Sequence, residues 1–207
     1  MDEKLLTQMR VEADEIFRSS LEAVDPYQAV KRFVHVEKDR LVVGIDDNHK
    51  VELDLTKYNR ISLVGGGKAA APMARAIEEL LGGRLHTGMI NVKYGFTEEL
   101  AVTEVVEAGH PLPDQRGVEG TKKIINFLKS AGEKDLIFSL ISGGGSALLP
   151  QPAGEITLAE KQEITRRLLA CGASIDEINS VRKHISLSKG GQMACLLYTS
   201  PSPRDRS

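Results

Sequence analysis

Two apolar runs in this chain each break into three consecutive glycines, and that pairing limits the possible folds more than any other feature. The first reads ISLVGGGKAA, with Gly65, Gly66, Gly67 and Lys68. The second reads DLIFSLISGGGSALL, with Ser142, Gly143, Gly144, Gly145 and Ser146. A short apolar run ended by glycine suits a strand buried on both faces that stops in a tight turn. AAAPMARAIEELL (69–81) follows the first run as a helix. A strand, a glycine turn and a helix belong to an open α/β sheet, which binds ligands beyond the C-terminal ends of its strands.

The rest of the chain agrees with that class. Residues 2–24 carry Leu5, Leu6, Met9, Ala13, Ile16, Phe17, Leu21 and Val24 on one helical face, and Asp25-Pro26 should end that helix. LVVGI (41–45) and KVELDL (50–55) read as a hairpin. Strands are expected over 87–95 and 102–109, with a helix over 118–131. The run from Asp135 reads as the most deeply buried strand. Thr157 and Glu160 form a capping-box pattern opening a helix through about Ala170. A further helix is expected from near Asp176. The expected fold is α/β, a Rossmann-like, mostly parallel sheet with helices on both faces. Residues 1–60 lead into a main domain at 61–194.

The final segment, Cys195 to Ser207, reads CLLYTSPSPRDRS. It is similar to a sequencing adapter translated in frame, and residues 195–207 are expected to be a non-native tail, with native sequence beyond Ala194 missing. Cys171 and Cys195 make neither a disulfide framework nor a metal site. Cys171, at a helix end, should be core. The 27 basic and 29 acidic residues are interspersed, giving a net charge of −2, unlike a chain that neutralises nucleic-acid phosphates. No apolar run could cross a bilayer of about 30 Å, and no signal peptide opens the chain. A cytoplasmic setting is expected, with neither nucleic acid nor membrane as partner.

Candidate chemistry gathers at four places. In VGGGKAA, Gly65, Gly66 and Gly67 would let backbone amides approach an anion, and Lys68 adds a cation. The loop is not a Walker A motif: Ser62 and Ala69 stand where glycine and Ser/Thr are needed. Its match to the dinucleotide fingerprint is imperfect and lacks the later ribose-binding acid. In SGGGSALL, Ser142, Gly143, Gly144, Gly145 and Ser146 read as a phosphate cradle. Leu148 excludes a G-x-S-x-G nucleophile elbow. In EINSVRKHISLSKGG, Asn179, Arg182 and Lys183 share a helical face, and Lys189 precedes two glycines. That face suits a carboxylate or phosphate oxygens. In EAGHPLPDQRG, His110 is a candidate acid–base or substrate group, with Asp114 beside it. No cluster has metal-ligand spacing.

Taken in order, VGGGKAA, EAGHPLPD, SGGGSALL and EINSVRKHISLSKGG resemble the glycerate kinases of the MOFRL type, also named glycerate 2-kinases or, in older usage, hydroxypyruvate reductases. The likeness runs to about Ala194. It implies transfer of the γ-phosphoryl group of ATP to D-glycerate, giving 2-phosphoglycerate, in a cleft between two domains. It places Lys68 in the active site. It implies Mg²⁺ with the nucleotide, for which Asp114 is a weak ligand candidate. It also implies a further arginine and a second, MOFRL, domain that this sequence lacks, so the chain by itself is expected to be inactive. Two other functions stay open: an NAD(P)H-dependent reductase acting on hydroxypyruvate, and a non-catalytic anion-binding fragment. Oligomeric state is not legible.

Overall fold

The computed structural model describes residues 3–46 and 48–197; most of the adapter-like segment, 198–207, lies outside the described residues. The chain opens with α1 (Glu3–Ala23). Asp25-Pro26 ends it as expected, but it also starts α2 (Pro26–Phe33), which the sequence reading missed. Pro26 takes the first helical position, where its absent N–H costs nothing, and the Asp25 side chain accepts from the Gln28 amide at 2.8 Å. Three antiparallel strands follow, β1 (Val34–Glu37), β2 (Arg40–Gly44) and β3 (Lys50–Asp54). The expected hairpin is β2–β3; β1 adds a strand to it.

The main sheet holds β4 (Arg60–Gly66), β5 (Leu85–Lys93), β6 (Thr103–Ala108) and β7 (Asp135–Ile141), ordered β6-β5-β4-β7. Every pairing is parallel. Helices α3 (Ala70–Leu81) and α4 (Gln115–Lys129) cover it. The period-two alternation of β4 decides which face each meets. Ile61 and Leu63 point toward Ala70, Ala74 and Ile77 of α3, in a core that also takes in Val34, Leu41 and Leu55 from the N-terminal elements. Val64 points the other way, onto Ile124 and Leu128 of α4. The chain is therefore an α/β fold with a parallel sheet and helices on both faces.

Beyond β7 come α5 (Gly145–Leu148), α6 (Leu158–Ala170), α7 (Ile175–His184) and α8 (Gln192–Cys195). The Thr157–Glu160 capping box is present, and Ser174 and Glu177 form a second at the start of α7. Three expectations need correction. β7 is an edge strand: Leu140 is buried, but Ile141 is 55% exposed, because the sheet ends there. Cys171 is exposed; it caps α6 just before Gly172, whose φ of +74° turns the chain away. The apolar face of α1 covers no core, since none of its residues is buried and Leu5, Met9, Ile16, Phe17 and Leu21 are all at least half exposed.

Candidate active site

β4 and β7 are neighbours, so their C-terminal turns meet. Residues 67–69 are joined to 142–143 by two hydrogen bonds. The Lys68 amide donates to the Gly143 carbonyl at 2.8 Å, and the Ala69 amide donates to Ser142 Oγ at 3.0 Å. The Gly67 amide donates to the carbonyl of Asn91, at the end of β5, at 3.1 Å. The amides of the first loop are thus used inside the protein, and among the described residues its free donor is the Lys68 ammonium. The glycines there serve close packing. A Cβ on Gly65 would lie 2.2 Å from the Leu140 carbonyl oxygen, and one on Gly67, at φ +149°, would lie 2.0 Å from Ser142 Oγ.

The second loop differs. Among the described residues, the amides of Gly143, Gly144 and Ser146 donate to no protein group. With the hydroxyls of Ser142 and Ser146 they form a concentrated set of donors, suited to an anion. Gly144 adopts φ +88° and lies against two side chains brought from elsewhere. A Cβ there would be 3.1 Å from His110 Nε2 and 3.3 Å from Lys68 Cγ. His110 is thereby placed beside Lys68. Burial, and then the charges of Lys68 and Lys93, hold its imidazole below the ordinary histidine value. That shift favours the neutral imidazole, the form able to accept a proton.

The other predicted residues lie around a cavity of about 480 Å³ that shares the second loop as a wall. Ser142, Gly144, Gly145 and Ser146 line one part, Asn179, Arg182 and Lys183 of α7 another, and Lys189, Gly190 and Gly191 a third. Lys68 and His110 are not among its walls, and neither is any carboxylate of the described residues. The structure therefore sorts the predicted residues into two neighbouring groups about one loop. Lys189 Nζ donates to the Leu149 carbonyl at 3.2 Å. Burial, then the charges of Lys161 and Arg182, push it down to about 7.

Asp114 does not face either group as a free ligand. It caps α4, accepting from the Gly117 amide at 2.9 Å, and accepts from the Tyr94 hydroxyl at 2.7 Å. Burial opposes its charge, but those bonds outweigh it and hold the carboxyl below its usual range. That geometry gives Asp114 a structural task. Among the described residues no three His, Cys, Asp or Glu side chains gather as a metal site.

Two residues of the site escaped the sequence reading. Asn91 is 1% exposed, and its amide nitrogen reaches the carbonyls of Gly117 and Leu148 and the Thr121 hydroxyl, tying α4 and α5 to the end of β5. The signal was a lone polar residue within the apolar run MINV. Lys161 is 3% exposed and donates to the Ile185 carbonyl at 2.9 Å. Burial, then Arg182, push it down to about 8. Its signal was a lysine on the stripe Leu158, Lys161, Ile164, Leu168, which faces inward on α6.

Residues 12–202 match the family described as a domain of unknown function, DUF4147. The chain is 42% identical over 178 residues to glycerate 2-kinase from Pyrococcus horikoshii, covering 86% of this chain and 38% of that protein. It is also 42% identical over 135 residues to a provisionally named hydroxypyruvate reductase from Agrobacterium vitis, covering 65% of this chain and 31% of that protein. The crystal structure of glycerate kinase from Thermotoga maritima superposes with a TM-score of 0.75 at 35% identity, covering 93% of this chain and 42% of that one. The chain spans well under half the length of these relatives. With the sheet order, the joined glycine loops and these matches together, the chain belongs to the DUF4147 family, the N-terminal domain of the glycerate kinases.

Proposed function

We propose that this domain serves the ATP-dependent phosphorylation of D-glycerate to 2-phosphoglycerate in the cytoplasm. The observation that carries this reading is the junction of the two glycine loops, which sets Lys68, His110 and three unspent amides around one turn. Phosphoryl transfer asks for positioning and charge neutralisation more than for covalent chemistry. Bound ATP would supply the γ-phosphoryl group. The amides of Gly143, Gly144 and Ser146, with the hydroxyls of Ser142 and Ser146, would hold its phosphate oxygens. Lys68 stabilises charge that develops during transfer. His110 accepts the proton of the glycerate hydroxyl. Arg182, Lys183 and Lys189 hold anionic groups of the substrates. Mg²⁺ would be held largely by the nucleotide's own phosphates, and no step is assigned to it.

The relatives named glycerate kinase support this reading, and the hydroxypyruvate reductase name supports a second one, hydride transfer to hydroxypyruvate. The site favours the first, because the fingerprint for a nicotinamide dinucleotide is imperfect and the first loop's amides are consumed. A chimera separates the two. Residues 3–194 replace the matching part of the Pyrococcus horikoshii relative, and ADP release with D-glycerate is compared with NAD(P)H oxidation with hydroxypyruvate. Glycerate-dependent ADP release is expected. Reductase turnover without ADP release would refute the proposal. Assay of the 207-residue chain beside it shows whether this domain suffices.

A further inference from the structure

Asn91 places a buried amide inside the apolar end of β5. Strand alternation sends Ile90 and Val92 into the core beneath α3, while Met89 and Asn91 face α4. The fit is close: a Cβ on Gly120 of α4 would lie 2.2 Å from Asn91 Oδ1. A buried amide is costly unless it is bonded, so its partners matter. The nitrogen donates to the Leu148 carbonyl at 2.8 Å and to the Gly117 carbonyl at 3.1 Å, which matches its two hydrogens. The Thr121 hydroxyl, at 3.2 Å, itself donates to the Gly117 carbonyl at 2.7 Å.

Each carbonyl belongs to a different piece of the site. Gly117 lies in the first turn of α4. Asp114 caps that turn through the Gly117 amide and also accepts from the amide of Gly109, the residue before His110. Leu148 closes α5, which begins in the second glycine loop, and its amide donates back to the Gly144 carbonyl at 3.1 Å. The chain after α5 does not supply a donor for the Leu148 carbonyl. Pro152, four residues on, has no N–H, and among the described residues no backbone amide donates to that carbonyl. The backbone of Asn91 holds the third piece, because its carbonyl accepts from the Gly67 amide, beside Lys68, at 3.1 Å.

We infer that Asn91 is a positioning residue of the transfer site: its amide and its carbonyl together hold the His110 segment, the second glycine loop and the Lys68 loop at fixed separations. The reaction it serves rests on the kinase reading, but the coupling of the three segments stands on its own geometry. Asn91 does not line the cavity and acts through the groups it holds. In-line transfer needs the base, the acceptor hydroxyl and the phosphoryl group in register, and a displacement of about 1 Å can cost about 10²-fold in rate. Without the amide, the Gly117 carbonyl keeps the Thr121 hydroxyl as a donor, whereas the Leu148 carbonyl loses the donor it has. The second loop is then released from the α4 side, and Gly144 from its place against His110.

The test is a histidine proton NMR titration of the 207-residue chain, with the His110 signal identified by its loss in His110→Gln. The groups whose charges act on His110 are Lys68 of the first loop and Lys93 of β5, and burial adds to their effect. Wild-type His110 should titrate below the ordinary histidine value. In Asn91→Val, which removes both donors and suits a strand, it should rise toward that value as the imidazole leaves its burial. Thr121→Val leaves both carbonyls their amide donor and should not move the titration. Circular dichroism melts establish that each variant is folded, and Asn91→Ser, too short to reach both carbonyls, serves if Asn91→Val is not. In the chimera, Asn91→Val should lower kcat at least about tenfold and leave both KM values within about twofold. An unmoved His110 titration in a folded Asn91 variant, an equal shift in Thr121→Val, or a raised KM with kcat kept overturns the inference. A chimera that releases no ADP from ATP and D-glycerate would remove the kinase reading, and the His110 titration would still decide whether Asn91 holds the segments together.

Discussion

The backbone N–H of Lys68 donates to the carbonyl of Gly143, so the side chain best placed to stabilise a phosphoryl group is fixed to the loop best supplied with free amides. The two turns are far apart in sequence and adjacent in space because β4 and β7 pair in parallel, with Gly66 opposite Ile141. Any displacement of one loop is felt by the other.

Gly67→Ala tests that junction. Its Cβ would sit 2.0 Å from Ser142 Oγ and 2.8 Å from the Ser142 carbonyl oxygen, on a backbone at φ +149°. The loops must separate to admit it. A loss of about 1–3 kcal/mol is expected, as for overpacking elsewhere, read from thermal or urea melts. An unchanged midpoint would mean that the loops are not locked.

Lys68→Met in the chimera should lower kcat by about 10²-fold or more, the scale of losing a donor aimed at developing charge. KM for ATP should change little if the nucleotide is held from the cavity side. Steady-state kinetics give both numbers; an unaltered kcat would exclude Lys68 from the transition state.

Lys161→Met separates stability from function. Its loss leaves the Ile185 carbonyl bonded to the Ala153 amide, so no buried acceptor is orphaned. It also removes a buried charge that the unliganded fold must tolerate. The folded pKa is lowered from 10.5 to about 8, so between those values the unfolded chain binds more protons than the folded one. Wild-type stability should therefore rise as pH climbs from about 8 toward 10. The variant should be at least as stable as the wild type at pH 7 and should show a smaller alkaline rise, the remainder coming from Lys189, whose folded pKa is also lowered from 10.5, to about 7. Melts at several pH values check this; a large destabilisation at pH 7 would make Lys161 merely structural.

Phosphate binding should carry the signature of Lys189. Lys161 of α6 and Arg182 of α7 face it, Lys183 lines the same cavity, and no described carboxylate does. Held at about 7 in the free protein, it is charged at pH 6 and mostly neutral at pH 8.5. Affinity for ADP should fall across that interval relative to Lys189→Arg, which stays charged throughout. Parallel pH profiles for the two proteins would contradict this.

Much of this architecture was legible in the residues. Apolar strands alternating with amphipathic helices specify a parallel sheet, and glycines at strand ends specify where its turns crowd. Less legible was the purpose of each glycine. Gly65 to Gly67 and Gly143 to Gly145 look alike as letters, yet the first set lets backbones touch and spends its amides, whereas the second leaves Gly143 and Gly144 unspent. That difference is set by which strand neighbours which. The burial of β7 was overestimated because apolar content does not reveal an edge. Lys161 was invisible because a lysine on an apolar stripe is ordinarily solvated at its tip, and only tertiary packing encloses it.

The most direct measurement is the ³¹P spectrum of the chimera's product after incubation with ATP and D-glycerate. The account predicts ADP together with a phosphate ester at the C2 hydroxyl of glycerate, both lost with Lys68→Met. ATP left intact, while the same protein oxidises NAD(P)H with hydroxypyruvate, would contradict it.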